Sequence, residues 1–262
     1  MKFGQGDLYI DELARRVTKY AIGTSTYKNL RNEKYILSLL PENNYTIQLL
    51  NYYEDPRSGP VLVYEYGGMD LLDAQPYMGG NNTVCQYILR QVRNGLLFLH
   101  QRNIAHLDVK PDNVVVDALT NVRIIDFGLS TIGITEIDYA SGTVAYMAPE
   151  MVVLDIFRDV HAWVDVYAAD VWSYGCLAFA MYFGHLLWEQ ASPNHKRFAT
   201  MKEQQLSGMR PWESLSFEPK TPLWLQEELN STLTIDPCKR QLVTRTHADS
   251  ACIPAQGTVP VR

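Results

Sequence analysis

The chain has 262 residues, with 23 lysines and arginines, 29 aspartates and glutamates, and a formal net charge of -6. This length is enough for one large domain or two small ones with a sizeable buried core. The acidic balance argues against a nucleic acid or an anionic membrane as the partner, since both favour a basic protein surface.

The cysteines and the apolar runs indicate the compartment of the protein. The four cysteines, Cys85, Cys176, Cys238 and Cys252, are widely spaced, which matches neither a metal site nor a dense disulfide pattern. We therefore expect reduced thiols in an intracellular protein, cytoplasmic or nuclear. The first residues carry charge but no apolar core, so they do not form a secretory signal. The most apolar run, residues 174–188, is short of a membrane span and predicts a buried core helix.

The first part of the chain alternates short β-like runs with one helical segment. Branched and aromatic residues predict strands over residues 17–22, 47–53 and 61–66. Residues 27–40 carry apolar side chains at helical spacing and predict a helix. The pattern indicates several strands arranged around a single helix.

A more helical part begins at Gly67-Gly68, which predicts a hinge. Residues 83–100 carry a helical stripe of apolar side chains and lead into the polar stretch 106–113, His-Leu-Asp-Val-Lys-Pro-Asp-Asn. A short apolar strand is predicted directly afterwards, over 114–116. Polar groups on a loop that is anchored between two core elements are typical of a catalytic site.

The stretch 106–113 resembles the catalytic loop of protein kinases, whose pattern is His-Arg-Asp followed by Asn, with Leu107 in place of the arginine. Two further motifs of that family follow in the family's order, Asp126-Phe127-Gly128 and Ala148-Pro149-Glu150. Three motifs in this order within about 45 residues are hard to produce by chance. The chain is therefore identified as a member of the eukaryotic-type protein kinase family.

The resemblance runs from residue 4 to residue 245 and implies an α+β, bilobal protein kinase-like fold. A small β-rich lobe with one key helix would span residues 1–66, and a larger, mainly helical lobe would span 67–245. Residues 246–262 have little apolar periodicity and are expected to form a tail. Kinases of large DNA viruses also combine a compact small lobe with intact large-lobe motifs, so the pattern fits a viral source.

The resemblance places a phosphate-binding site in the small lobe. Gly4 and Gly6 would form a glycine-rich loop whose N–H groups approach phosphates, although the family's third glycine is missing. Glu33 would pair with a strand lysine that holds the phosphates. Lys19 is the preferred candidate for that lysine and Lys28 the weaker one, or the site lacks such a lysine. Lys19 would need a shifted strand register, because successive strand residues point to opposite faces.

The resemblance also assigns residues around the base and the sugar of the nucleotide. Tyr64 would stand at the back of the pocket, and Glu65 and Tyr66 would offer backbone groups to adenine. Asp70 would accept a hydrogen bond from a ribose hydroxyl, or it is a solvated loop acid. The implied cofactors are ATP and Mg²⁺.

Phosphoryl transfer requires an acid that orients the hydroxyl, metal ligands, and a cation against the developing charge. On the family's pattern, Asp108 would accept the hydroxyl proton and Lys110 would neutralise the transferring phosphate. Asn113 and Asp126 would hold Mg²⁺ through oxygen atoms, which this ion prefers. His106 is expected to support the loop by packing.

The residues around the catalytic loop also suggest the type of hydroxyl and the regulation. Lys110, two residues after Asp108, together with the segment 142–150, resembles serine/threonine kinases more than tyrosine kinases. Thr143 would bridge Asp108 and Lys110. Leu107 replaces the arginine that pairs with a phosphate on the activation segment, so we expect activity without phosphorylation.

Three structural expectations follow from the same resemblance. Asp170 would accept hydrogen bonds from the backbone of the catalytic loop. Arg240 would pair with Glu150. The interval between Glu150 and Asp170 is longer than expected, so residues 155–167 would form a small insertion near the substrate groove.

The sequence thus predicts a monomeric serine/threonine protein kinase that transfers the γ-phosphate of Mg-ATP to hydroxyl groups of a protein substrate, with no nucleic-acid or membrane partner. The alternative is a pseudokinase, a binding or scaffolding module whose glycine loop and lysine have decayed. Against this alternative, Asp108, Lys110, Asn113 and Asp126 are all present. A small-molecule kinase is disfavoured because the region around Thr143 belongs to peptide-binding kinases.

Overall fold

A computed structural model describes residues 2–3, 6–11, 13–21, 24–78, 82–118, 120–133, 136–137, 142–156, 162–215 and 221–242. Its contacts divide the chain into two compact units. The first consists of Met1–His106 and Pro111–Thr131, and the second of Leu107–Lys110 and Ile132–Arg262. This division does not test the lobe boundary after residue 66, which stays a prediction.

The first unit contains a five-stranded antiparallel sheet with the strand order β1-β2-β3-β5-β4. Its strands are β1 (Lys2–Phe3), β2 (Gly6–Asp11), β3 (Arg16–Ala21), β4 (Leu49–Asp55) and β5 (Gly59–Glu65). The three predicted strands correspond to β3, β4 and β5, with ends displaced by one or two residues. Branched and aromatic residues indicate that a strand exists, whereas its ends depend on its pairing.

Helix α1 (Thr24–Leu39) is the helix predicted over 27–40. It buries Leu30, Ile36 and Leu37 on the face that the sequence pattern indicated. This face packs against β3, β5 and the short 3-10 helix Phe127–Leu129. The packing therefore fixes where polar residues of α1 lie relative to the sheet and to the Asp-Phe-Gly motif.

A turn with two glycines follows β5, at the predicted hinge. Gly68 has φ of 107°, and a Cβ at this position would lie 2.1 Å from the carbonyl oxygen of Val116. Only glycine fits such a contact and such a backbone angle. The next elements are β6 (Met69–Asp70), α2 (Leu71–Met78) and α3 (Asn82–His100). Helix α3 confirms the helix predicted over 83–100.

Short strands lie on both sides of the polar stretch 106–113. They are β7 (Ile104–Ala105), β8 (Val114–Val116), β9 (Val122–Ile124) and β10 (Thr131–Ile132). Strand β8 has the bounds predicted for it and lies between β6 and β9 in a three-stranded sheet. Because β8 and β9 are antiparallel, the residue before β8 and the residues after β9 lie at the same end of this pair.

The second unit is mainly helical. Its elements are β11 (Glu136–Ile137), α4 (Pro149–Ile156), β12 (Ala162–Trp163), α5 (Val166–Phe183), α6 (Lys196–Leu206), α7 (Pro211–Ser214) and α8 (Leu223–Thr232). Strands β11 and β12 pair antiparallel. Helices α5 and α8 approach so closely that a Cβ on Gly175 would lie 2.4 Å from Thr232 Oγ1.

Helix α5 accounts for the apolar run at 174–188, but it begins and ends earlier. The Asp165 side chain caps its start, and Gly184 ends it in the left-handed conformation with φ of 74°. The core-helix prediction is therefore confirmed for 174–183 and wrong for 184–188. Among the described helices, none has the length and apolar character that crossing a membrane requires.

Three sequence expectations need correction or fall, at least in part, outside the described residues. Cys85 and Cys176 are free and buried, but Cys238 is disulfide-bonded, so the expectation of reduced thiols throughout is wrong. Spacing along a chain does not show which cysteines meet in space. The tail expected over 246–262 and the central residues of the insertion, 157–161, lie outside the described residues.

Candidate active site

In the first unit, Lys19 lies in β3 between two carboxylates. Its Nζ is 2.8 Å from Glu33 Oε2 on α1 and 2.9 Å from Asp126 Oδ1 in the Asp-Phe-Gly motif. The Lys19 and Glu33 side chains are 7% and 2% exposed. Such a buried cation needs both partners, because an unpaired charge is costly to bury.

The position of Lys19 corrects the strand register that the sequence suggested. The strand was predicted over 17–22, with the family's lysine expected after residue 22. Strand β3 instead spans Arg16–Ala21 and contains Lys19, which pairs with Leu62 of β5. Lys28, the other candidate, is exposed on α1. Strand alternation counted against Lys19 in the sequence, but Lys19 is the buried residue of β3, whereas its neighbours in that strand are exposed or partly buried.

The charges of this cluster depend on one another. Burial alone lowers the pKa of Lys19, but Glu33 and Asp126 more than offset it, so the pKa is raised. Burial raises the pKa of Glu33 more than Lys19 lowers it. Burial also acts to raise the pKa of Asp126, but the Lys19 charge and hydrogen bond outweigh burial and leave this pKa lowered. Asp126 is thus held ionised beside a protonated lysine.

Asp126 adopts an uncommon backbone conformation. Its φ and ψ are 63° and 75°, in the left-handed region that non-glycine residues rarely use. Lys19 holds one carboxyl oxygen, which also accepts from Gly128 N–H at 3.4 Å. Strained residues persist where the surroundings determine them, and they are often functional.

Asn113 lies at the same end of the β8–β9 pair as Asp126. Its carbonyl accepts the N–H of Ile125 at 3.0 Å, which fixes the residue before β8 against the residue after β9. Asn113 is buried, and Asp126 is partly exposed. An amide oxygen and an ionised carboxylate are hard ligands, so this pair fits Mg²⁺ and not a metal that prefers nitrogen or sulfur.

His106 supports this end of the first unit. It is fully buried, and its Nε2 lies 2.9 Å from the carbonyl oxygen of Ile125. Its ring contacts the ring of Phe127 edge to face, with centroids 5.2 Å apart. The histidine that the sequence marked as a packing residue is therefore surrounded by the backbone and side chains that it supports.

The nucleotide-binding candidates lie in the first unit, but not all of their groups are available. The N–H groups of Glu65 and Tyr66 donate to the carbonyls of Gln48 and Arg15 at 3.1 and 2.9 Å. These N–H groups are already used within the first unit, so the prediction that Glu65 and Tyr66 offer backbone groups to adenine now concerns their carbonyls. Their carbonyl groups stay candidates.

Four other candidates complete the nucleotide set. Gly6 begins β2, whereas Gly4 lies outside the described residues. Asp70 Oδ1 accepts the N–H of Asp73 at 2.8 Å and so caps α2, and burial raises its pKa. Tyr64 is buried in β5, and burial followed by Glu33 raises its pKa well above the usual value.

In the second unit, Asp108, Lys110 and Thr143 form one hydrogen-bonded group. Lys110 Nζ is 2.9 Å from Asp108 Oδ2 and 2.7 Å from Thr143 Oγ1. Thr143 donates from both its N–H and its hydroxyl to Asp108 Oδ1, each at 2.8 Å. The prediction that Thr143 bridges the other two residues is confirmed. The arrangement fixes the direction of the Asp108 carboxylate.

The loop that carries Asp108 is fixed by its neighbours within the second unit. Leu107 has φ of 65°, and its N–H donates to Asp170 Oδ1 at 2.8 Å, as predicted. Asp170 is fully buried. Gly142 lies so close that a Cβ on it would be 2.4 Å from the Leu107 carbonyl oxygen. A residue larger than glycine at 142 would displace the Asp108 loop.

A second ion pair anchors the segment that follows Thr143. Arg240 Nη1 and Nη2 lie 2.5 and 2.8 Å from the two carboxyl oxygens of Glu150. The Arg240 side chain is fully buried and also packs over the Trp172 ring. The predicted pairing of Arg240 with Glu150 is confirmed. A bidentate pair of this kind is both strong and directional.

A small cleft lies beside Asp108 in the second unit. Its lining is mostly apolar and comes from the catalytic loop, the segment after Gly142 and helices α4 and α5. The main apolar contributors are Val109, Tyr146, Met147, Ala148 and Met151.

Comparison with known proteins agrees with this geometry. The family model for the protein kinase domain matches residues 13–249, close to the range 4–245 expected from the motifs. The match starts after Gly4 and Gly6. It thus lends no support to the glycine-rich loop.

Several curated proteins are similar to the chain. Serine/threonine-protein kinase grp of Drosophila melanogaster is 32% identical over 198 residues, which is 71% of this chain and 36% of the fly protein. Serine/threonine-protein kinase chk1 of Schizosaccharomyces pombe is 29% identical over 177 residues, 65% of this chain and 34% of the yeast protein. Serine/threonine-protein kinase SBK1 of Danio rerio is 29% identical over 199 residues, 73% of this chain and 51% of the fish protein.

The chain therefore spans about a third to a half of the length of these relatives. All three come from cellular organisms, and they give the viral expectation no support.

Proposed function

This chain belongs to the eukaryotic-type protein kinase family, with that family's bilobal α+β fold, and from this membership we propose that it is an active serine/threonine kinase. It would transfer the γ-phosphate of ATP to hydroxyl groups of a protein substrate. The observation that carries the proposal is Lys19, buried between Glu33 and Asp126. A decayed nucleotide site would have no reason to keep a buried cation with two carboxylate partners.

On the nucleotide side, each residue of the cluster has a separate task. Lys19 would hold the phosphates of ATP, and Glu33 would keep Lys19 directed toward them. Asn113 and Asp126 would hold Mg²⁺ through their side-chain oxygens. When bound, the metal would reduce the negative charge that builds up on the phosphate oxygens. Gly67 supplies the next backbone N–H after those that the sheet uses, so it is the candidate donor to adenine.

On the acceptor side, Asp108 would orient the substrate hydroxyl and take its proton. Each carboxylate oxygen can accept more than one hydrogen bond. The contacts from Thr143 and Lys110 therefore direct the Asp108 carboxylate and leave capacity for the hydroxyl. Lys110 would also stabilise negative charge on the transferring phosphate.

The rest of the proposal concerns the setting in which the chain acts. We place the kinase inside the cell, in the cytoplasm or the nucleus, as a monomer that acts on proteins. A net charge of -6 favours neither nucleic acid nor an anionic membrane as a partner.

The direct test is transfer of labelled γ-phosphate from ATP to a mixed protein substrate, with and without Mg²⁺. We expect label on serine and threonine, none on tyrosine, and loss of the label when the metal is chelated. A nucleotide-induced rise in melting temperature, measured in parallel, distinguishes the rival function. Nucleotide binding without transfer, or neither signal, would leave the pseudokinase as the better description.

Treatment with a phosphatase provides a second prediction. Because Leu107 replaces the arginine that would pair with a phosphate, a phosphate on residues 129–147 has no such partner. We expect dephosphorylated protein to keep its kcat within about twofold of the untreated protein. Mass spectrometry before and after treatment confirms that phosphate was removed. A loss of tenfold or more would mean that another cation reads the phosphate.

A further inference from the structure

Asn32 makes an unusual set of contacts next to Glu33 on α1. Its side-chain nitrogen Nδ2 lies 2.8 Å from the carbonyl oxygen of Ser130, 3.2 Å from that of Gly128 and 3.3 Å from that of Phe127. All three acceptors belong to the backbone that directly follows Asp126. We call this set of hydrogen bonds the Asn32 contact.

The Asn32 contact joins one side chain to several backbone carbonyls of a short segment. A side-chain amide has two N–H donors, so three acceptors share them and the Ser130 bond is the shortest. The Phe127 carbonyl also accepts the N–H of Ser130 at 3.1 Å, at the end of the short 3-10 helix Phe127–Leu129. An amide from another element is one of the few groups that can bind several such carbonyls at once.

Asn32 also lies at the point where α1 meets the metal-binding residue. Glu33, the next residue, bonds Lys19, which in turn bonds Asp126. On the other side, Asn29 packs so closely that a Cβ on Gly128 would lie 3.2 Å from Asn29 Cβ. Two sets of contacts thus hold the Asp-Phe-Gly segment against α1. One is the ion pair of Lys19 with Asp126, and the other is the Asn32 contact.

The simplest alternative is that Asn32 is a helix-surface residue that touches the neighbouring segment by chance. Two features argue against this. Its amide reaches acceptors about 95 residues away in sequence on one continuous segment. That segment directly follows Asp126, whose left-handed conformation needs surrounding contacts to persist.

We propose that Asn32 is a positioning residue that holds the backbone after Asp126 and thereby sets the geometry of the Asp126 carboxylate for Mg²⁺. It acts through Asp126 and touches neither the nucleotide nor the substrate. The proposal rests on the proposed kinase function and deepens it. The contact also needs no phosphate, in keeping with a chain that has Leu107 where the phosphate-binding arginine is expected.

The main test replaces Asn32 by leucine, which has a similar size and no donor. Supporting groups around metal ligands typically change metal affinity or activity by about 10- to 100-fold. We therefore expect the Mg²⁺ concentration for half-maximal activity to rise by about tenfold, with the KM for the protein substrate within about twofold of wild type. Hydrogen–deuterium exchange of a peptide covering residues 126–131 should also become faster.

A second variant, Asn32→Asp, keeps the shape of the side chain and changes only its hydrogen-bonding groups. Its ionised carboxylate has no donor for the three carbonyls, whereas its protonated form has one O–H donor. This variant should therefore resemble Asn32→Leu, with a higher Mg²⁺ requirement and faster exchange over 126–131. Ser38→Ala is the matched control, because it removes one local hydrogen bond, to the Tyr35 carbonyl, on an exposed face of α1.

The outcomes separate this inference from the kinase proposal. Unchanged exchange over 126–131 and unchanged Mg²⁺ dependence in a folded Asn32→Leu protein would overturn the role of Asn32. If that variant does not fold, unchanged exchange and unchanged Mg²⁺ dependence in Asn32→Asp would overturn it. If wild-type protein transfers no phosphate, the kinase proposal fails. The exchange measurement then still decides whether Asn32 holds the segment.

Discussion

Replacing Asp108 by asparagine should lower kcat for phosphate transfer by about 100- to 10,000-fold, the range that positioned acids and bases supply. Asparagine has nearly the same shape and can still accept from the Thr143 N–H and hydroxyl. It cannot take a proton from a substrate hydroxyl, and it places an amide or a neutral oxygen where Asp108 Oδ2 meets the Lys110 ammonium. The chemical step should therefore suffer more than folding or nucleotide binding.

The measurement is steady-state kinetics with ATP and a peptide substrate, together with the nucleotide-induced shift in melting temperature. We expect the shift to stay within error of wild type while kcat falls. Asp112→Asn is the matched control, because it neutralises a carboxylate in the same loop that has no assigned task in the reaction. Its kcat should stay within about threefold of wild type. Asp108→Asn protein with more than a tenth of wild-type activity would rule out Asp108 as the acid that receives the proton.

Much of the fold was predictable because the pattern and the local structure agree. The apolar stripe over 83–100 predicts α3, and the isolated valine run predicts β8 with its observed bounds. The strand over 17–22 was right in type and displaced by one residue from β3. The ends of a strand do not show which of its residues face the buried side, because that depends on how the strand pairs with its neighbours. Composition cannot show this pairing, so the sequence could only prefer Lys19 to Lys28.

The second unit's part of the site was predictable for a different reason. Asp108, Lys110 and Thr143 lie within short motifs, and their hydrogen bonds follow from the motif's resemblance to a known family. Asn32 carries no comparable signal, because an uncharged amide on a helix is ordinary in sequence. The sequence likewise could not show that the Tyr66 N–H donates to the Arg15 carbonyl, because that bond appears only when the strands pair.

Lys19→Met should affect both activity and stability, and it is the sharpest test of which lysine serves the site. Methionine keeps most of the aliphatic length but removes the cation that Glu33 and Asp126 share. Removing one partner of a buried ion pair typically lowers the free energy of unfolding by about 3–5 kcal/mol. Phosphate transfer should fall by at least about 100-fold, since Lys19 is the proposed phosphate ligand.

The stability loss should itself depend on pH, and the direction can be worked out from Glu33. Burial already raises the pKa of Glu33, and Lys19 is the group that counteracts this. Without the lysine, the folded-state pKa of Glu33 rises further above its unfolded value, so the folded variant binds a proton that the unfolded chain releases. The free energy of unfolding of Lys19→Met, relative to wild type, should therefore fall as the pH rises from about 5 to about 8.

Lys28→Met is the control, because Lys28 is exposed on α1 and was the rival candidate. Exposed substitutions usually change the free energy of unfolding by less than about 0.5 kcal/mol, and we expect kcat to stay near the wild-type value. Urea unfolding at several pH values and steady-state kinetics on both variants complete the comparison. If Lys28→Met lost activity while Lys19→Met kept it, the phosphate ligand would be misassigned. If neither variant changed activity, phosphate transfer would not depend on Lys19 or Lys28. The ion pair of Lys19 with Asp126 would then have only a structural role.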